Sequence, residues 1–307
     1  MNEIGIHLKN YIDYCISQKR LDSKTIKAYR IDLTQFISHI SETCIEDINQ
    51  DTLEQYISHL HQSYQPKTVK RKIASLKAMF HYFEYKGLIV QNPFCKVQVK
   101  FREPTILPKT IPLDTVECLL KTVYSQQNNA KTAHQRKNAI RDAAVCELLF
   151  ATGMRISELC SLNINDINLH DGTILIYGKG NKERRLQLSN LDVLSALENY
   201  KTEFSAEIEN CHHFFVNQSG GPLSDQTVRR MINKYTHLAA IDLHITPHMF
   251  RHTFATSLLE ADVDIRYIQE MLGHSSINIT EIYTHVAVSK QRDILASKHL
   301  RKDFTMF

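Results

Sequence analysis

Hydrophobic positions recur at three- and four-residue intervals through most of this 307-residue chain, the period of helices packed along one side. In the first part of the chain this predicts four or five short helices. Ile6, Tyr11, Ile12 and Cys15 share one apolar face, and SKTIKAYRIDLTQFISHI forms the next helix with Ser23 as its cap. A third opens at Asp51 or its neighbour and runs through TLEQYISHL. The segment YQPKTVKRKIASLKAMFHYFEYKG then places Val69, Ile73, Leu76 and Phe80 on one side of a longer helix. The period is lost in QNPFCKVQVKFREPTILPKT, where Pro93, Pro104 and Pro108 mark the clearest boundary in the chain.

Beyond that boundary PLDTVECLLKTVYS reads as a capped helix and QQNNAKTAHQRKN as a polar loop. In RDAAVCELLFATGMRISEL, Ala143, Val145, Leu148 and Leu149 predict a buried helix, followed by a turn at Thr152–Gly153 and a helix opening near Arg155. The period changes to two in GTILIYGKGNKERRLQLS, a hairpin of Thr173–Tyr177 and Arg185–Leu188 about a Gly178–Gly180 turn. LDVLSALENYKTEF is again helical, and a Gly-Gly-Pro turn precedes a helix capped by Ser224. Thr246 and Pro247 suit the cap and first turn of another helix, whose Phe250, Phe254 and Leu258 anchor it. Ile265, Ile268 and Leu272 form a last clear run that stops at Gly273, the residue best able to take a left-handed cap. Ser275 or Ser276 can cap a third short helix carrying Tyr283, and Val288, Ile294, Leu295 and Leu300 keep a helical period in the tail. The expected class is mainly α with a small β-hairpin, an α+β chain of two domains.

Composition narrows the setting. Hydrophobic residues make up 43% with only nine glycines and seven prolines, which is ample for buried cores and argues against disorder. The net charge is +4, so any nucleic-acid binding must come from local patches. Seven scattered cysteines, odd in number and without metal spacing, read as reduced thiols, with no disulfide frame and no metal. No signal pattern opens the chain and no apolar run is long enough to span a membrane, so a cytoplasmic protein without membrane contact is expected.

Charge is concentrated in places. Lys67, Lys70, Arg71, Lys72 and Lys77 fall on the helix backed by Val69 and Phe80, with no acidic residue among them. Such a stripe suits a phosphate backbone, and a solvated helix face reads equally well. Lys179, Lys182, Arg184 and Arg185 cluster on the hairpin. The most pointed set lies near the end. His248 and Arg251 are three apart and project from one helix face, His274 follows Gly273, and Tyr283 comes nine residues later. Making phenolate at pH 7 costs about 4 kcal/mol against a pKa of about 10. A tyrosine nucleophile therefore needs cationic help. Arginine offers a fork for two phosphate oxygens, and histidine a donor or acceptor near neutral pH. The combination suits attack by tyrosine on a phosphodiester.

HMFRHTFAT followed by LGHSSINITEIYTHV resembles the signature of the tyrosine recombinase/integrase family. ATGMRISEL and GKGNKER fit the same resemblance, which covers the chain from the N-terminal helices to Tyr283. It implies an N-terminal helical core-binding domain (1–87), a linker (88–105), a catalytic domain (106–298) and a C-terminal tail (299–307), with the two domains closing as a C-shaped clamp around DNA. It implies a catalytic set of Arg155, Lys179, His248, Arg251, His274 and Tyr283, with Lys182 competing for the role of Lys179 and Glu158 holding Arg155. Lys67, Lys70, Arg71, Lys72, Lys77, Lys182 and Arg184 become expected DNA contacts. The implied activity is site-specific cutting and rejoining of DNA through a 3′-phosphotyrosyl intermediate, without metal, ATP or other cofactor. Integration, excision, transposition and dimer resolution all use that chemistry. The implied partners are double-stranded DNA with inverted-repeat core sites and a homotetramer, or a heterotetramer with a paralogue, on synapsed DNA associated with the nucleoid. With helices expected almost from Met1, an additional arm-binding domain is not expected, and the chain resembles Xer-like and transposon-type members more than lambda integrase. Two rivals remain: a type IB topoisomerase-like strand relaxer, and a non-catalytic integrase-derived DNA-binding protein.

Overall fold

The computed structural model describes residues 3–40, 44–98, 108–178 and 183–273. The chain divides into two compact units, Met1–Thr105 and Ile106–Phe307. No helix among the described residues is long and apolar enough to cross a membrane.

The first unit is helical: α1 (Glu3–Ser17), α2 (Ser23–His39), α3 (Gln50–Ser63) and α4 (Pro66–Tyr85), with a single 3-10 turn at Pro93–Cys95. Tyr11, Phe36, Phe80 and Phe83 fill its centre. The buried face of α1 is Ile4, Tyr11, Ile12 and Cys15, whereas Ile6 is 50% exposed. Two residues correspond to about 200° of helix rotation, so choosing Ile4 turns Ile6 to the opposite side. Asp22 rather than Ser23 caps α2 through Lys24 N, and Asn49 caps α3 through Thr52 N. Each side chain satisfies an amide that the first helical turn leaves without a partner. Ile89, Phe94 and Val97 are buried in the same core, which therefore continues past the end of α4.

The second unit holds α5 (Leu113–Asn128), α6 (Ala133–Thr152), α7 (Ile156–Cys160), β1 (Ile167–Asn168), β2 (Thr173–Tyr177) and β3 (Glu183–Gln187). These lead to α8 (Leu191–Glu203), α9 (Ser205–Cys211), α10 (Asp225–Leu238), α11 (Pro247–Glu260) and α12 (Ile265–Leu272). Residues 139–149 of α6 are buried on every side, which makes it the central helix. The expected loop over QQNNAKTAHQRKN is corrected. Gln126–Asn128 end α5, Thr132 caps α6 at Gln135 N, and AHQRKN forms the first turns of α6. Those turns project beyond the core and carry no apolar stripe, so periodicity could not reveal them. α5 itself has Pro112 at its cap position and no side-chain cap hydrogen bond.

The hairpin gains a short third strand, giving an antiparallel sheet in the order β1-β2-β3. Ile174 pairs with Leu186 and Ile176 with Arg184, so these residues share one face. Ile174, Ile176 and Leu186 are buried in the core of the unit. That register also commits Arg184 to the inward face, unlike its exposed neighbour Arg185.

Candidate active site

Helix α6 ends at Gly153, whose φ of +56° is the left-handed conformation that glycine adopts without a Cβ penalty. A Cβ there would also lie 2.7 Å from Cδ1 of Phe254 on α11. The turn therefore brings the start of α7 and the face of α11 together. Arg155 occupies the cap position of α7, and its side chain is 34% exposed.

An arginine at a helix start is unfavourable beside the positive end of the dipole. The sequence points to an anion shared between that arginine and the helix end. Within the chain, Glu158 supplies a carboxylate at this position. Its Oε2 accepts the Arg155 backbone N–H at 2.8 Å, and its Oε1 accepts Arg155 Nη1 at 2.7 Å. One carboxylate closes the cap and fixes the side chain.

Glu158 also accepts a second guanidinium. Arg184 on β3 donates Nη1 to Oε1 at 3.1 Å and Nη2 to Oε2 at 2.7 Å. Burial acts to raise the Glu158 carboxyl, but the hydrogen bonds and charge of Arg184, joined by those of Arg155, outweigh it and hold the group below its ordinary range. It is ionised at neutral pH. Arg184 was expected on DNA; its side chain is 7% exposed and faces inward, which corrects that assignment. Its Nε donates to the Met271 carbonyl at 2.8 Å, at the end of α12.

Arg251 reaches the same helix end from α11. It is 4% exposed and donates Nη2 to Leu272 O at 2.6 Å and Nη1 to Gly153 O at 2.9 Å. The last carbonyls of a helix lack intrahelical donors and carry partial negative charge, so two arginines there are favourable. Gly273 then takes φ +64°, and a Cβ on it would stand 3.0 Å from Arg184 Nη1. The contacts form a closed circuit from Gly153 through Arg155, Glu158, Arg184 and the end of α12 to Arg251, and back to Gly153. Three guanidinium groups and one carboxylate meet in it, leaving an excess of positive charge suited to an anionic group.

His248 lies exposed on the first turn of α11, one turn before Arg251. Thr246 is the N-cap by backbone position, without a side-chain cap hydrogen bond. His252 is half-buried on the same helix. Burial chiefly, then the charges of His248 and Arg251, push its imidazole down to about 4, so it is neutral at pH 7. Phe250 is buried in the main core, while Phe254 and Leu258 pack with Ala255, Ile268 and Leu272 in a small cluster joining α11 to α12. That cluster sets where the end of α12 meets Arg251. Lys179, Lys182, His274 and Tyr283, together with the Ser275 or Ser276 cap and the apolar stripe of the tail, lie outside the described residues.

On α4 the basic stripe divides. Lys67, Lys70, Arg71 and Lys77 are exposed. Lys72 is not: its side chain is 3% exposed, and Nζ donates to Asp32 Oδ1 at 3.0 Å and to Gln35 Oε1. The same ammonium lies 4.8 Å from the centre of the Tyr64 ring. Asp32, fully covered, also accepts Arg71. The expected DNA contact at Lys72 is therefore corrected to an internal ion pair. Lys72 stands among Val69, Ile73 and Leu76 on the buried side of α4, and a carboxylate on α2 meets it there. The signal in the sequence was Asp32 itself, one residue before Leu33 on the apolar face of α2.

The family model described as the phage integrase family matches residues 119–290, and the one described as the phage integrase N-terminal SAM-like domain matches residues 8–87. A protein of Agathobacter rectalis named tyrosine recombinase is 67% identical over 304 residues, covering 99% of each chain. The tyrosine recombinase XerD of Listeria monocytogenes is 34% identical, covering 98% of this chain and all of its own. Among solved structures, the XerH site-specific recombinase, crystallised with a palindromic difH substrate after cleavage, shares the fold with a TM-score of 0.76. It is 23% identical and covers 94% of this chain and 83% of its own. This chain belongs to the phage integrase family and is a tyrosine recombinase, an enzyme of site-specific DNA recombination.

Proposed function

We propose that Tyr283 is the nucleophile of this recombinase and that Arg155, Lys179, His248, Arg251 and His274 complete its catalytic set. The Tyr283 oxygen attacks the scissile phosphorus, forming a phosphotyrosine bond as the bond from phosphorus to the 5′-oxygen breaks. His248 takes up or shares the phenol proton, and Lys179 protonates the departing 5′-oxygen. Arg155 and Arg251 hold the non-bridging oxygens as charge develops on them, and His274 donates to one of them. A 5′-hydroxyl of a second strand then attacks the phosphotyrosine. The number of phosphoester bonds is conserved, so the exchange needs no nucleotide hydrolysis.

The observation that carries this reading is the arginine circuit. It draws Arg155 and Arg251, distant in sequence, to the junction from which the chain runs directly into His274. We propose the first unit as the core-binding domain, with the expected linker 88–105 packed in part on its core through Ile89, Phe94 and Val97, 106–298 as catalytic domain and 299–307 as tail. The exposed Lys67, Lys70, Arg71 and Lys77 of α4, together with Lys182, are proposed to contact DNA phosphates, adding salt-dependent affinity without base readout. The partner proposed is double-stranded DNA with inverted-repeat core sites, bound by a tetramer of this chain or of this chain with a paralogue, in the cytoplasm. Support comes from proteins of the same fold: lambda integrase was crystallised as a dimer on a core site and as a tetramer on a Holliday junction, and the Tn1549 integrase with transposon right-end DNA.

The test is a nicked suicide duplex carrying a site recovered by selecting bound genomic fragments. The wild-type chain is expected to form a denaturant-resistant covalent adduct and Tyr283→Phe none. An adduct of equal yield from Tyr283→Phe would place the nucleophile elsewhere.

A further inference from the structure

We infer that Arg184 is a positioning residue, which locks Arg155 and the C-terminal end of α12 into one arrangement through Glu158 and the Met271 carbonyl. The inference rests on the catalytic reading above and extends it to a residue that does not itself touch the reacting phosphate.

Arg184 is the only described side chain that reaches both Glu158 and the end of α12. Its three nitrogens are all engaged, two on one carboxylate and one on a backbone carbonyl. The planar fork makes this possible, since it presents donors in fixed directions to two partners at once. A lysine offers one compact ammonium, which can satisfy Glu158 or Met271 O but cannot hold both. The strand register explains why the side chain points this way: Arg184 sits opposite the buried Ile176 and shares its face. Arg185 alternates outward.

Two consequences follow for the site. Without Arg184, Glu158 keeps only Arg155 as a guanidinium partner, and the pair can rotate toward solvent because Arg155 is partly exposed. The end of α12 loses one of the two arginine bonds to its last carbonyls and keeps the Arg251 bond to Leu272 O and its apolar packing on α11, so Arg251 is also less firmly aimed. Both arginines assigned to the scissile phosphate are thus oriented through one inward-facing residue. Gly273 belongs to the same device, because any side chain there would press on the Arg184 guanidinium.

The experiment uses the full chain and the nicked suicide duplex, with wild type, Arg184→Lys and Arg184→Gln. Single-turnover cleavage, gel-shift affinity and thermal unfolding are measured for each. Displacement of a catalytic group by about 1 Å costs on the order of 100-fold in rate. Cleavage by Arg184→Lys is therefore expected to fall about 100-fold while affinity for the duplex changes far less. The acid limb of the cleavage rate should also move to higher pH, since Glu158 loses its strongest ionising partner. A role confined to stability would lower the melting temperature and leave that limb in place. If wild type cleaves and either folded variant cleaves as fast, or if the loss of rate merely matches the loss of affinity, the positioning role is refuted while the catalytic reading stands. If both variants unfold, Arg184 serves the fold and the positioning role falls. Absence of any wild-type adduct overturns the catalytic reading itself.

Discussion

Asp32→Ala removes the carboxylate that neutralises Lys72 inside the first unit. Lys72 Nζ then keeps Gln35 and the Tyr64 ring, neither of which carries a full compensating charge. Leaving a buried charge without its ion partner costs about 3–5 kcal/mol. For a unit near 100 residues, each kcal/mol lowers the melting temperature by roughly 4–8 °C, so the first unit should melt more than 10 °C earlier. Arg71 loses the same partner, but it is partly exposed and water replaces the carboxylate. The double variant Asp32→Leu with Lys72→Met replaces the pair by apolar side chains of similar shape. It should recover to within about 1 kcal/mol of wild type or exceed it, because replacing a buried pair is often neutral or stabilising. The assay is scanning calorimetry of the full chain, with a salt titration of DNA affinity alongside. Lys72→Met should leave the salt slope unchanged, whereas Lys67→Ala should reduce it by about 0.9, the value for one lost phosphate contact. A double variant as unstable as Asp32→Ala, or a slope reduced by Lys72→Met as much as by Lys67→Ala, would refute the argument.

Gly153→Ala introduces a Cβ at positive φ and 2.7 Å from Phe254. Strain and overpacking together should destabilise the second unit by about 2–4 kcal/mol, and Phe254→Leu in the same chain should restore only part of it in a urea melt. His252 adds a pH dependence. Its folded-state value of about 4 lies below the ordinary 6.5, so the unfolded chain binds more protons between those values and stability falls as pH drops through that window. The loss approaches about 2–3 kcal/mol by pH 4, and His252→Gln should flatten that part of the pH–stability curve. Glu158→Gln keeps the shape of the cap but removes the charge facing Arg155 and Arg184; it should slow suicide-duplex cleavage more than it weakens binding.

Much of the fold was legible because apolar periodicity reports directly on which helix face is buried. The stop of α12 at Gly273, the cap of α10 at Ser224 and the strands of the hairpin all followed from local rules. The first turns of α6 did not, since a solvated helix segment shows no apolar stripe. The face of α1 differs from the sequence reading at Ile6, because Ile4, two residues earlier and on the opposite side, takes the buried place.

The sequence by itself determined the reaction class, through motifs that resemble the tyrosine recombinase family, to which the chain belongs. It also determined the positions of Arg155, His248 and Arg251 on helix starts and faces, because capping, proline placement and periodicity are local. Only the tertiary structure decided how the basic residues are divided between surface and interior. Lys72 and Arg184 look like their neighbours in sequence. Lys72 faces inward because Asp32 waits on α2, and Arg184 because Glu158 and the end of α12 meet it from elements distant in the chain. A buried charge is tolerable only where another element supplies its partner, and that pairing exists only once the chain has folded.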